Sequence, residues 1–199
     1  MTEYLHKIRA GKPGAPILFA LHGTGGDEGQ FFDFAADLMP EATIVSPRGD
    51  VSEYGAARFF RRTGEGVYDM ADLARATEKF SAYVERLKAE HQAPKVYGFG
   101  YSNGANILAN ALIDKGNVFD AAALLHPLIP FAPASQPKLA GVKVLITAGQ
   151  RDQICPAPLT QALADYLTAQ QADVTLDWHS GGHELRPTEV EALQRFFAG

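Results

Sequence analysis

Cysteine is almost absent: Cys155 is the only one in 199 residues. A single thiol cannot close an intramolecular disulfide, and it excludes the zinc cages that need several cysteines. Basic residues are in deficit, 18 Lys and Arg against 23 Asp and Glu. The resulting charge of -5 offers no general attraction to nucleic acid or to an anionic membrane surface. No apolar run nears the roughly 18 residues needed to cross a bilayer, and the N-terminus lacks a basic flank, an apolar core and a cleavage site. A chain that begins at Met1 without such a leader is expected in the cytoplasm, without nucleic acid or stable membrane insertion. Internal repeats, low-complexity tracts and linker-like shifts in composition are also missing. Residues 1–199 therefore read as one domain, and 46% hydrophobic content suffices for a substantial core.

What is present is an alternation of short apolar runs with longer stretches at helical spacing. Strands are expected at 16–21, 42–45, 95–99, 119–125, 142–148 and 174–178, with a weaker one over 3–8. Helices are expected at 31–38, 69–91, 103–115, 156–171 and 188–197. Asp69 is placed to cap the second of these, and Val190, Leu193, Phe196 and Phe197 form the apolar side of the last. This rhythm predicts an α/β fold, a mostly parallel central sheet with helices on both faces. Residues 46–68 and 127–141 break it. Both follow strands, so they gather at the carboxyl edge of the sheet, where ligands bind in such folds.

One junction carries a chemical signal. Gly100-Tyr101-Ser102-Asn103-Gly104 lies between a predicted strand and a predicted helix and fits the G-x-S-x-G turn, which strains a serine and exposes its hydroxyl above the sheet. A serine hydroxyl is a weak nucleophile until a base takes its proton, so a histidine late in the chain is required, with a carboxylate to orient it. Of six histidines, His183 is best placed, in a glycine-rich loop after the last strand; His179 is the reserve. His126 ends a strand beside Pro127 and reads as structural, and His22 as a residue that fixes the loop after its own strand. Asp152, after the 142–148 strand, fits the order Ser, then Asp, then His. Donors for a developing oxyanion are expected from the backbone N–H groups of Thr24, in the loop HGTGGDE, and of Asn103, which opens a helix. No metal or organic cofactor is required by this chemistry.

The motifs LHGTGGDE, SPRG, GYSNG, GQRDQICP and GGH, in that order, resemble the small serine carboxylesterases and phospholipases of the α/β-hydrolase fold, which include acyl-protein thioesterases. The segment around SPRGDVSEYGAARFFRRTGEG resembles a bacterial branch of that family. Ser102 stands where dienelactone hydrolases, to which there is also a similarity, carry a cysteine. The resemblance implies an α/β-hydrolase fold with no cap domain, since the chain has no room for one. It also implies a carboxylesterase-type serine hydrolase (EC 3.1.1) that cleaves small-molecule esters of short to medium acyl chain. Lysophospholipase, thioesterase and a silent, ligand-binding hydrolase are the alternatives. Phe59, Phe60, Leu128, Ile129 and Phe131 are expected to line the pocket. Arg48, Arg58, Arg61 and Arg62 are expected to be solvated or paired with nearby carboxylates, and Cys155 to be a buried, inert thiol. The physiological ester and the oligomeric state, homodimer included, stay open.

Overall fold

The computed structural model describes residues 3–198. Seven strands form the central sheet: β1 (His6–Arg9), β2 (Ile17–Leu21), β3 (Thr43–Pro47), β8 (Val96–Tyr101), β9 (Ala121–Leu125), β10 (Lys143–Gly149) and β11 (Asp173–His179). Their spatial order is β1-β3-β2-β8-β9-β10-β11. Only β1 runs antiparallel, against β3. Between β3 and β8, two small hairpins project from the sheet: β4 (Val51–Glu53) with β5 (Ala56–Arg58), and β6 (Arg62–Gly64) with β7 (Val67–Tyr68). These strands are two or three residues long, too short for any periodic signal, and the sequence reading passes over them.

Strand alternation divides the core in two. Ile17, Phe19 and Leu21 of β2 point to one face, Leu18 and Ala20 to the other. The first face is covered by α2 (Met70–Glu90), α3 (Asn103–Lys115) and α4 (Ala157–Ala169), the second by α1 (Phe32–Leu38) and α5 (Pro187–Ala198). Helix α2 begins where the Asp69 carboxylate accepts the N–H of Asp72, and it buries Leu73, Thr77, Phe80, Val84 and Leu87. Helix α5 keeps Leu193, Phe196 and Phe197 on its inner side as expected and departs from expectation at one position. Its buried residues are Glu189, Ala192 and Leu193, whereas Val190 is exposed. The helix is turned so that the Glu189 carboxylate enters the interior beside Ala192 and Leu193.

In-register parallel pairing aligns the strand ends. Leu21 pairs with Gly100, Tyr101 with Leu125, and Gly149 with His179. The residues that follow these strands, His22, Ser102, His126, Asp152 and His183, are thereby delivered to one edge.

Candidate active site

Ser102 joins β8 to α3 with φ 52° and ψ -115°, a conformation costly for a residue with a side chain. The glycines around it explain how the bend closes. A Cβ on Gly100 would lie 2.5 Å from the Gly104 carbonyl carbon, and one on Gly104 would lie 2.5 Å from the carbonyl oxygens of Leu21 and His22. Strand, turn and helix approach so closely that only hydrogen fits at these two positions.

The three side chains singled out in the sequence meet here. Ser102 Oγ is 2.9 Å from His183 Nε2, and His183 Nδ1 is 2.7 Å from Asp152 Oδ2. A carboxylate only accepts, so His183 Nδ1 carries the proton and Nε2 is left to accept from the serine hydroxyl. The loop that carries His183 is pinned by Tyr101, whose hydroxyl donates to the His183 carbonyl at 2.7 Å. Asp152 is buried, and its second oxygen accepts the backbone N–H groups of Ile154 and Cys155. Burial pushes the Asp152 carboxyl up, but hydrogen bonds from the Cys155 N–H, His126 and His183 outweigh it and hold the group below its ordinary value.

Sequence reasoning missed two participants. His126, with no exposed surface, places Nδ1 2.9 Å from the same Asp152 oxygen and Nε2 3.1 Å from Glu189 Oε1. Glu189 also accepts from the Thr147 hydroxyl at 2.6 Å and the Arg186 N–H at 2.7 Å. His179 stands beside them, its Nε2 3.3 Å from His126 Nε2 and 3.4 Å from Glu189 Oε2. The spacing of His126, His179 and Glu189 is that of a metal-ligand set. The donor chemistry is not: the Gly181 N–H donates to His179 Nδ1, which fixes the proton of a neutral ring on Nε2 and removes that lone pair. A histidine that precedes proline at the carboxyl end of a strand was the one available hint to His126. Glu189, inside an apolar helical pattern, gave none.

These ionisations carry a signed pH dependence. Burial pushes the Glu189 carboxyl up, and contacts with His126 and Thr147 bring it below its usual range; burial pulls His126 down, and Glu189 and Asp152 more than restore it, so it lies above its usual value. Asp152 and Glu189 contribute stability that is present above their unfolded pKa values, about 3.9 and 4.3, and lost as pH falls through their lower folded values. His126 contributes stability fully present below about 6.5 and lost as pH rises through its raised folded value. The cluster therefore favours the folded state most between about pH 4.5 and 6.5. Urea midpoints across pH will show a decline on both sides of that window, and the alkaline decline will vanish in His126→Gln.

His22 fixes the neighbouring loops. Its Nε2 accepts the Gly49 N–H at 2.9 Å, so Nδ1 donates to the Gly23 carbonyl at 2.7 Å. Thr24 and Asn103 both border the hollow at Ser102, and their backbone N–H groups have no acceptor among the described residues. That hollow, about 240 Å³, is walled by Arg58, Arg62, Glu65, Tyr68, Asn106, Leu128, Ile154 and Cys155. The expected apolar lining needs correction. Phe59 and Phe60 have no exposed surface and belong to the core, Ile129 and Phe131 border a separate hollow against α4, and only Leu128 reaches Ser102. The physical reason is the hairpin pair, which turns the two phenylalanines inward and presents arginines in their place. A larger hollow, about 400 Å³, opens at the amino ends of the strands beside Lys95, Asp120 and Lys143 and holds none of these groups.

The four arginines each stand beside a carboxylate: Arg48 with Glu28, Arg58 and Arg62 with Glu53, and Arg61 with Asp72. Arg58 is not solvated. It is buried, and its guanidinium donates to the Thr24 hydroxyl at 2.7 Å and to the Phe60 carbonyl. Cys155 is buried, with Sγ 3.2 Å from the His126 carbonyl, and burial pushes its thiol well up.

A parallel sheet whose strand ends deliver Ser102, Asp152 and His183, with no further domain inserted among the described residues, is an α/β-hydrolase without a cap. The chain belongs to the dienelactone hydrolase family, whose model matches residues 56–185. It is 36% identical over 183 residues to MhqD of Bacillus subtilis (strain 168), a match covering 91% of this chain and 92% of that protein. The solved structure of Atu2452 from Agrobacterium tumefaciens C58, a protein of unknown function, matches with TM-score 0.94 and 58% identity over 98% of this chain and 96% of that one. A Bacillus cereus carboxylesterase matches with TM-score 0.90 and 35% identity over 98% and 93%. The resemblance read from the motifs holds: the protein is a hydrolase of α/β-hydrolase type with carboxylesterases among its neighbours. No described helix is long and apolar enough to cross a membrane.

Proposed function

We propose that this protein is a carboxylic ester hydrolase that cleaves small esters of short to medium acyl chain through an acyl-enzyme on Ser102, working as one domain in the cytoplasm. His183 takes the Ser102 proton as the alkoxide oxygen attacks the ester carbonyl. The N–H groups of Thr24 and Asn103 hold the oxyanion, and Asp152 orients the imidazole and balances its charge. His183 then returns the proton to the departing alcohol, and a water molecule, activated by the same ring, releases the acid. The observation that carries this reading is the unbroken pair of contacts, 2.9 Å from serine to imidazole and 2.7 Å from imidazole to carboxylate. A serine at the turn supports an alcohol as the nucleophile, and the buried thiol of Cys155 has no base within reach of comparable geometry.

The hollow is small and its walls are half polar, which favours compact esters over long acyl chains. A fluorophosphonate probe is expected to modify Ser102 alone, located by peptide mass spectrometry, and p-nitrophenyl esters of two to eight carbons are expected to turn over. The same panel carries thioesters, a lysophospholipid and aminoacyl amides. Turnover confined to the thioesters or the lysophospholipid keeps the nucleophile and replaces the substrate class. An adduct elsewhere overturns the assignment of Ser102, and neither adduct nor turnover overturns the reading in favour of a silent, ligand-binding hydrolase.

A further inference from the structure

The groups described so far need only Ser102, His183 and Asp152, yet the carboxylate continues into the interior. Beside His183, on the same Asp152 oxygen, lies His126, then Glu189, with His179 next to both. Two observations, independent of each other, mark His126. Its backbone has φ 52°, a left-handed conformation in a fully buried residue that is not glycine, just past the end of β9. Its ring also sits between two carboxylates, with one nitrogen facing each. The backbone strain is held in place by the His126 N–H donating to the Thr147 carbonyl and by the Cys155 thiol on the His126 carbonyl.

The charges in this pocket do not balance without His126. Among the described residues, no lysine or arginine side chain pairs with Asp152 or Glu189. The remaining ionisable groups facing His126 are His179, His183, Tyr101 and Cys155. Tyr101 has its ring 5.8 Å away and its hydroxyl engaged with the His183 carbonyl. His179 is neutral by its Gly181 contact. A neutral His126 would leave an imidazole lone pair 3.1 Å from Glu189 Oε1 and two buried carboxylates sharing no buried cation. A neutral ring has one alternative, to accept from His179 Nε2 at 3.3 Å, but that contact removes no charge from either carboxylate.

We propose that His126 is a positioning residue that stands as an imidazolium between Asp152 and Glu189, fixing the Asp152 carboxylate toward His183 and offsetting part of its negative charge. This rests on the esterase reading only for its kinetic readout; the protonation of His126 is a property of the folded protein. Its functional consequence is a matter of sign. A positive charge whose ring centre lies 5.2 Å from that of His183 opposes a second positive charge there. The base is thereby kept free to accept the serine proton at lower pH than a carboxylate alone would allow, and the active range extends toward acid.

The test has two parts. In wild-type protein labelled with nitrogen-15, long-range proton–nitrogen spectra are expected to show both ring nitrogens of His126 protonated at pH 7, irrespective of any activity. A deprotonated Nε2 at that pH overturns the proposal. In His126→Gln, which keeps an amide donor toward Asp152 but no charge, the acidic limb of kcat/KM is expected to move up by about two pH units. That is the order set by a unit charge at this distance in a medium of effective dielectric constant near 20. A folded His126→Gln protein with lower kcat and an unmoved limb assigns the residue a purely structural role and overturns the electrostatic one. Should that variant not fold, the wild-type spectrum decides alone. If fluorophosphonate labelling of Ser102 fails while His126 is doubly protonated, the esterase reading falls and the buried imidazolium stands.

Discussion

Ser102→Ala is expected to lower kcat for a p-nitrophenyl ester by about 10⁶-fold, and His183→Ala by a similar factor, because nucleophile and base act as one unit and losing either removes the acyl-enzyme route. The residual rate over water, of the order of 10³-fold, belongs to the oxyanion donors and to binding. The double variant is therefore expected to be no slower than either single one. Steady-state rates on purified proteins, with folding checked by urea unfolding, give the answer. The serine variant should fold at least as well as wild type, since a strained φ of 52° costs alanine no more than serine and no buried partner is orphaned. A Ser102→Ala protein that retains a tenth of wild-type activity would exclude an acyl-enzyme at this position.

Asp152→Asn is the second large effect, and it separates orientation from charge. The amide keeps the shape of the carboxylate, but one of its two ends now donates. Faced with both His183 Nδ1 and the backbone N–H groups of Ile154 and Cys155, the side chain must point its oxygen one way and its amino group the other. Two backbone donors hold the oxygen, so the amino group faces His183 and forces the proton onto Nε2, where it blocks the serine. The expected loss in kcat is about 10⁴-fold from the wrong tautomer. His126 adds a second consequence absent from a simple three-residue relay: its Nδ1–H loses its acceptor in a buried site, so the variant should also unfold at lower urea. A variant with full activity would remove Asp152 from the relay.

Much of this was legible before any coordinates. The strands at 16–21, 95–99 and 142–148 are near-continuous apolar runs, which is how strands buried on both faces read, and they reappear within a residue or two as β2, β8 and β10. The bend at Ser102 was legible because steric exclusion writes itself as glycine at fixed offsets. Other features had no such signature. The hairpins between β3 and β8 are too short for alternation to accumulate, so Phe59 and Phe60 read as pocket-lining aromatics when they are core. Glu189 was hidden by the assumption that an amphipathic helix buries its aliphatic residues. Its burial depends on a histidine and a threonine far away in sequence, a tertiary cause no local pattern carries. Arg58 read as one of four arginines solvated or paired with nearby carboxylates; it does pair with Glu53, but only the packing of its hairpin against the Thr24 loop makes it a wall of the hollow.

The two hairpins make no strand pairing with the central sheet; each closes on itself. They are nevertheless tied to the reactive edge along their length: the Arg58 guanidinium meets the Thr24 hydroxyl, the Ala57 carbonyl accepts the Gly25 N–H, the Phe59 N–H meets the Asn103 side chain, and the Tyr68 hydroxyl donates to the Leu128 carbonyl. Glu53, on the first hairpin, in turn pairs with Arg58. Wall and edge are therefore one mechanical unit, and exchanging either hairpin for another sequence would be felt at Thr24 and Leu128 as well as in the shape of the hollow.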